Sequence, residues 1–285
     1  MKMKPFCLVL LSFSILAGPG RAQSVWNDAA GNSSYSDPGN WVGNAAPAAT
    51  GADIVIGTMQ GGDNIVGIDT AGNVTVNSWT FSATLNALFT PIQVLNDGSG
   101  QQLVITSAGG ITNASSLQNE FDLVVNAGAD MTFSGGSAGL LFANALNVSS
   151  FQVTTSGTVT VAPGQNLIFD INSAASYGRI GSVAAMGAII QVVGDNYTAQ
   201  AGDSFTLTSA NFNGATLGEL PSLPQGLEWN TSNFISGGVL TVQAVPEPST
   251  VLLLMGALAL IALKARAKIR SSFFKRGRDV SPARP

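Results

Sequence analysis

Two stretches decide the fold: Asn73-Val74-Thr75-Val76-Asn77-Ser78-Trp79-Thr80-Phe81 and Leu103-Val104-Ile105-Thr106-Ser107-Ala108-Gly109-Gly110-Ile111-Thr112-Asn113. In both, apolar side chains alternate with Thr, and the residue types are β-branched or aromatic. Period-two alternation puts one set of side chains on each face of a strand, and Val, Ile, Thr, Trp and Phe suit a pleated, half-buried surface. The pattern recurs at Leu123-Val124-Val125, Met131-Thr132-Phe133, Val159-Thr160-Val161, Leu167-Ile168-Phe169-Asp170-Ile171, Ile189-Ile190-Gln191-Val192-Val193, Phe205-Thr206-Leu207-Thr208 and Val239-Leu240-Thr241-Val242. Clusters of Gly, Asn and Asp between these runs mark turns. No stretch between Ser24 and Val245 shows helical periodicity with caps, so this part of the chain is predicted to be all-β. Many short strands, Gly-rich turns and Asn, Ser and Thr beside the turns fit a parallel β-helix or solenoid. The strand spacing is irregular and shows no strict repeat, and a β-sandwich with jelly-roll connections fits the same pattern.

Charge is distributed unevenly around this β-rich region. The 285 residues include 12 Lys+Arg and 16 Asp+Glu, one Cys and no His. Arg179 is the one basic residue between Ser24 and Val245, against fourteen acidic ones, a net charge of −13. Such a surface repels phosphate, which excludes nucleic acid as a partner. Without His there is no Ser-His-Asp or Cys-His machinery and no His-ligated metal site. Cys7 lies in the apolar N-terminal stretch, so a mature chain carries no thiol.

The remaining basic residues lie at the two ends. Lys2 and Lys4 precede the apolar stretch Phe6 to Ala17, which leads to Gly20-Arg21-Ala22. A charged start, a short apolar segment and small residues at a cleavage site predict a signal peptide over residues 1–22, cut after Ala22, that engages the Sec export machinery. At the other end Val245-Pro246-Glu247-Pro248-Ser249-Thr250 leads into the apolar run Val251 to Leu263, followed by Lys264, Arg266, Lys268 and Arg270. A transmembrane helix over 249–263 would be about 22 Å long, short of a bilayer core of roughly 30 Å, and snorkelling Lys264 and Arg266 make up the difference. The basic cluster predicts a cytoplasmic C-terminus and an extracytoplasmic passenger over 23–244.

The proline-framed acid, short apolar helix and Arg/Lys-rich tail together resemble the PEP-CTERM protein-sorting signal of Gram-negative bacteria, here over residues 245–270, with a further basic tail over 271–285. The resemblance implies recognition of Pro246, Glu247 and Pro248 by an exosortase, a membrane peptidase. It also implies a temporary membrane anchor, stop-transfer by Lys264, Arg266, Lys268 and Arg270, and delivery to the cell surface or extracellular polysaccharide matrix. In physical terms, two prolines flanking a carboxylate make a stiff extended segment that a peptidase groove reads at small entropic cost. Trp26-Asn27, Ser36-Asp37-Pro38-Gly39-Asn40-Trp41 and Ala52-Asp53-Ile54-Val55-Ile56 resemble the opening of autotransporter-type β-solenoid passengers. By that resemblance the two stretches quoted first are successive rungs.

Candidate sites within the passenger are few. Glu120 and Asp122 alternate on one strand and imitate a glycosidase carboxylate pair, although a solvated strand face explains them equally well. Asp28, Asp37, Asp53, Asp63 and Asp69 concentrate in the first quarter; turn capping accounts for them, with structural calcium as an open reading. Trp26, Trp41, Trp79 and Trp229 either stack on sugar rings or fill the core. Arg179 reads as a loop residue paired with a carboxylate. The expectation is a non-enzymatic exported surface or matrix protein with no catalytic residue, cofactor or metal. An adhesin or carbohydrate-binding module is the alternative, and a β-helix polysaccharide-active enzyme a more distant one.

Overall fold

The computed structural model describes residues 23–245, apart from 49, 58, 61–63, 88–90, 99 and 195–196, and then 256–264 and 266. The predicted signal peptide and its cleavage residue Ala22 lie outside the described residues. The described chain forms two compact units. One runs up to Thr198 and adds Ser204–Pro221 and Thr231–Leu240; the other consists of Ala199–Asp203, Ser222–Asn230 and the chain from Thr241 onward.

The first unit is a β-solenoid of about six turns. Its first face is a ladder of parallel strands: Gln23–Trp26, Thr50–Ile56, Val74–Phe81, Leu103–Asn113, Val125–Ala127, Leu146–Ser149, Asn166–Ser173, Ile189–Val193 and Thr216–Leu217. A second face branches from the far half of Leu103–Asn113 and continues through Met131–Ser134, Gln152–Ser156 and Arg179–Ile180. Ile65–Ile68, Gln93–Asn96, Asn119–Asp122, Leu140–Phe142 and Val159–Val161 make the third. Parallel pairing between successive coils rules out the jelly-roll alternative, whose strands run antiparallel. The two stretches that announce the fold do stack, Val74 on Leu103 and Trp79 on Ile111.

Alternation along each strand turns one side chain in two inward, and register then aligns like with like. Leu103, Val125, Leu146, Leu167 and Ile190 pair in succession, and all five are fully buried. On the third face Val66, Val94, Phe121, Phe142 and Val161 form an equivalent column, with Phe121 and Phe142 stacked at 5.5 Å between ring centroids. Each fully buried aliphatic or aromatic side chain contributes about 2 kcal/mol through removal from water. The coils differ in length: 29 residues from Val74 to Leu103, 22 from Leu103 to Val125, 21 from Val125 to Leu146 and 23 from Leu167 to Ile190. The rungs are regular and the corners are not.

Polar side chains saturate the corners. Between its two paired halves, Leu103–Asn113 turns through Thr106 and Ser107, whose hydroxyls donate to the carbonyls of Val76 at 3.0 Å and Asn77 at 2.8 Å. Asn113, almost wholly buried, donates to the carbonyls of Leu117 and Gly139, both at 2.7 Å. Its amide oxygen accepts from the Ser115 N–H and hydroxyl and from Asn119. Asn119 in turn accepts from the Ile92 N–H at 2.9 Å, so the network ties one coil to the next. Gly110 has a left-handed backbone at φ +57°, and a Cβ there would overlap the Thr132 carbonyl of the adjoining rung.

The opening coil is closed by aromatics. Asp37 caps the 3-10 turn Pro38–Asn40 by accepting from the Gly39 N–H at 2.8 Å. Trp41 then bridges antiparallel to Trp26 across the free edge of Gln23–Trp26. The Trp41 indole donates to the Tyr35 carbonyl at 2.8 Å, and its ring meets Trp26 and Tyr35 edge-on at 5.1 and 5.0 Å. Burial pushes the Tyr35 phenol well above its ordinary value of 10.0, and among the described residues its hydroxyl has no hydrogen-bond partner.

The second unit contains the hairpin register Leu227↔Ala244, Glu228↔Gln243, Trp229↔Val242 and Asn230↔Thr241. Gln243 donates to Glu228 at 2.7 Å and accepts from Asn230 at 3.0 Å. Consistent with the lack of helical periodicity in the passenger, its described residues hold only the 3-10 turns Pro38–Asn40 and Ala83–Ala87 and the four-residue helix Phe234–Gly237. That helix ends at Gly238, whose left-handed backbone at φ 65° lets its N–H reach the Phe234 carbonyl at 2.8 Å.

Two stability measurements check this account. Gly110→Ala is expected to cost at least about 2 kcal/mol in denaturant unfolding, since it combines a strained φ with an overlap against backbone. Tyr35→Phe is expected to change stability by less than about 1 kcal/mol at pH 7, because no protein hydrogen bond is lost. Above pH 10 the unfolded wild-type chain releases the phenolic proton while the folded chain keeps it, so stability is full below pH 10 and declines as the pH rises. A melting series between pH 9 and 12 should therefore show a smaller alkaline loss for Tyr35→Phe than for wild type.

Candidate functional site

The functional segment begins where the last strand ends. In Val239–Ala244 the inward pattern stops at Val242; Gln243, Ala244 and Val245 are exposed, and the Val245 N–H donates to Gly226 at 2.9 Å. Pro246, Glu247 and Pro248 follow at once and lie outside the described residues, as do Lys268 and Arg270. Of the predicted membrane helix over 249–263, residues 256–263 are described, and they are helical. The helix continues through Lys264, and Arg266 is helical as well. Leu258, Leu260, Ile261 and Leu263 are each more than half exposed. Among the described residues no helix is long and apolar enough to cross a membrane. Lys264 and Arg266 follow these exposed apolar side chains in the sequence.

The passenger's candidate residues are dispersed. Glu120 and Asp122 share the outward side of Asn119–Asp122, where Glu120 accepts from Gln93 of the previous coil at 3.4 Å. The pair occupies a solvated strand face. Trp26, Trp41 and Trp79 are core residues with no face open to a sugar, and Trp229 is half-buried on the hairpin.

The aspartates serve turns and corners. Asp28, wholly buried with φ 52°, accepts from the Ser33 N–H at 3.4 Å. Asp53 accepts from the Ser78 hydroxyl at 2.8 Å. Asp37 is held below the ordinary carboxylate value by hydrogen bonds from Asn32 and the Gly39 N–H. Burial alone would push Asp69 up, and hydrogen bonds from the Ser34 hydroxyl and from the Ser36 N–H and hydroxyl outweigh it, so its carboxyl also lies low. Asp63 lies outside the described residues. Among the described residues no three of His, Cys, Asp and Glu come together in a group able to hold a metal ion.

Arg179 departs from its sequence reading. It lies in the short strand Arg179–Ile180, not in a loop, and its guanidinium sits over the Tyr177 ring at 5.2 Å from the centroid. The signal for this was the Tyr177-Gly178-Arg179 spacing, which places both side chains on one side of an extended chain. The buried amide network of Asn113 and Asn119 also escaped a sequence reading, because the two bonds that tie it to other coils, to the Gly139 carbonyl and from the Ile92 N–H, join residues whose proximity depends on coil length.

No curated protein matches the chain. The family model described as the PEP-CTERM protein-sorting motif matches residues 244–270, the segment that starts on the last residue of the final strand. Signals of this kind are recognised by exosortase-type membrane peptidases. The chain thus carries, directly after its β-rich passenger, the motif of a secreted protein with a membrane-anchored sorting signal, which implies export and sorting by exosortase.

Proposed function

We propose that the mature protein is a non-enzymatic structural component of the bacterial cell surface or extracellular matrix, released from its inner-membrane anchor by an exosortase-type peptidase. The carrying observation is the junction at Ala244: the last paired strand ends where the sorting motif begins, so a cut near Pro246-Glu247-Pro248 leaves the passenger intact. Export delivers the passenger outside, the apolar run halts in the membrane, and Lys264, Arg266, Lys268 and Arg270 hold the tail in the cytoplasm. No cofactor or metal is needed for this role. The aspartates' hydrogen bonds to turns and corners, the solvated Glu120 and Asp122 face and the absence of His from the sequence favour it over a polysaccharide-active enzyme.

Intact-mass measurement tests the release step. Protein extracted from the cell surface is expected to lack Lys264 to Pro285. Glu247→Gln combined with Pro246→Ala and Pro248→Ala should accumulate in the inner membrane with that tail attached. Surface protein that still carries the tail overturns the reading.

A further inference from the structure

We propose that the groove on the second face of the solenoid binds a carboxylate-bearing polysaccharide, with Arg179 as the carboxylate anchor. The inference deepens the reading of an exported surface protein, because the groove meets such a polymer only outside the cell.

The groove has a volume of 480 Å³, and no acidic residue lines it. In a stretch with fourteen acids and one base, no acid lines the wall that holds the base; Asp130 lies at its edge, where it accepts from the Gln152 N–H at 2.7 Å. The exposed neighbours of Arg179 bring hydroxyls and an amide: Gln152, Thr154, Ser182, Thr206 and Ser209. Parallel register sets Gln152 beside Arg179 on the adjacent rung, and both side chains are exposed. Thr154 carries the hydroxyl row one rung back, with its Oγ1 2.7 Å from that of Thr132. Rungs about 4.8 Å apart thus present a row of donors and acceptors along the face.

Arg179 is held ready for a ligand. Its guanidinium carbon sits over the Tyr177 ring, 5.2 Å from the centroid. Tyr177 is itself fixed: its ring meets Phe205 edge-on at 5.2 Å, and its hydroxyl accepts from the Thr206 N–H at 3.4 Å. A cation–π contact of this kind restrains the side chain while keeping its planar N–H fork, the shape that matches a carboxylate. A carboxylate beside sugar hydroxyls complements one such fork next to Thr, Ser and Gln. An acidic peptide supplies the carboxylate without the hydroxyls, so the lining favours the sugar polymer. Everywhere else the −13 charge repels a polyanion, which confines binding to this face.

The test uses the full-length chain in detergent with EDTA present. The probes are polygalacturonate and alginate, carboxyl-reduced polygalacturonate, and poly-glutamate. Wild type is expected to bind at least one of the two acidic polysaccharides. Arg179→Gln should weaken that binding about tenfold and Arg179→Lys by less, at unchanged melting temperature. The carboxyl-reduced polymer should bind no better to wild type than the acidic polymer binds to Arg179→Gln. The proposal is overturned if wild type binds neither acidic polysaccharide or if Arg179→Gln binds as wild type does. Equal binding of the reduced polymer, or equally Arg179-dependent binding of poly-glutamate, overturns it as well. Intact mass of surface-extracted Arg179→Gln separates the two readings. A retained tail with Arg179-dependent binding refutes release and keeps the site; a lost tail without such binding does the reverse.

Discussion

In a parallel coil every rung hydrogen-bonds to the rungs on either side, so the backbone path of one turn dictates that of the next. Any departure must be confined to a corner, or it leaves unpaired N–H and C=O groups in the interior. That constraint explains the two kinds of order in the first unit. Along the faces, aliphatic and aromatic columns such as Leu103 to Ile190 and Phe121 with Phe142 repeat with little change. At the corners, coil length varies by several residues, and side-chain hydroxyls and amides take the backbone groups that the ladder no longer reaches.

Thr106, Ser107, Asn113 and Asn119 therefore do more than decorate turns. Asn113 spends both amide hydrogens on carbonyls and its oxygen on three donors, a fully satisfied buried network. Replacing any member leaves several others unpaired where water does not reach, which is why such networks specify one arrangement instead of merely adding stability. Gly110 meets the same demand differently: the carbonyl of the next rung fills the space a side chain would need.

Strand identity was legible in the alternation of Val74 to Phe81 and Leu103 to Asn113, because period two is a local property. Partner choice was not, because a jelly roll and a solenoid draw on the same strands, and only long-range register tells them apart. Irregular corners also erased the repeat that would have marked a solenoid in the sequence. Among candidate residues, Asp37 read correctly as a cap because Asp-Pro-Gly is a local turn signal. The setting of Arg179 was hidden, since the Thr and Gln residues around it come from three coils. The sorting segment was readable because its elements follow one another along the chain and require no tertiary contact.

The placement of Arg179 within a paired strand has a consequence for detection. No lysine lies between Ser24 and Val245, so a passenger cut from its anchor offers trypsin a single site. That site sits in a rung whose Arg179 N–H bonds the Phe151 carbonyl at 2.9 Å. Even after full denaturation, digestion leaves two very large fragments, and amine-reactive dyes or cross-linkers find only the chain terminus. Tryptic peptide mapping or lysine labelling would therefore register little of a passenger freed from its C-terminal segment.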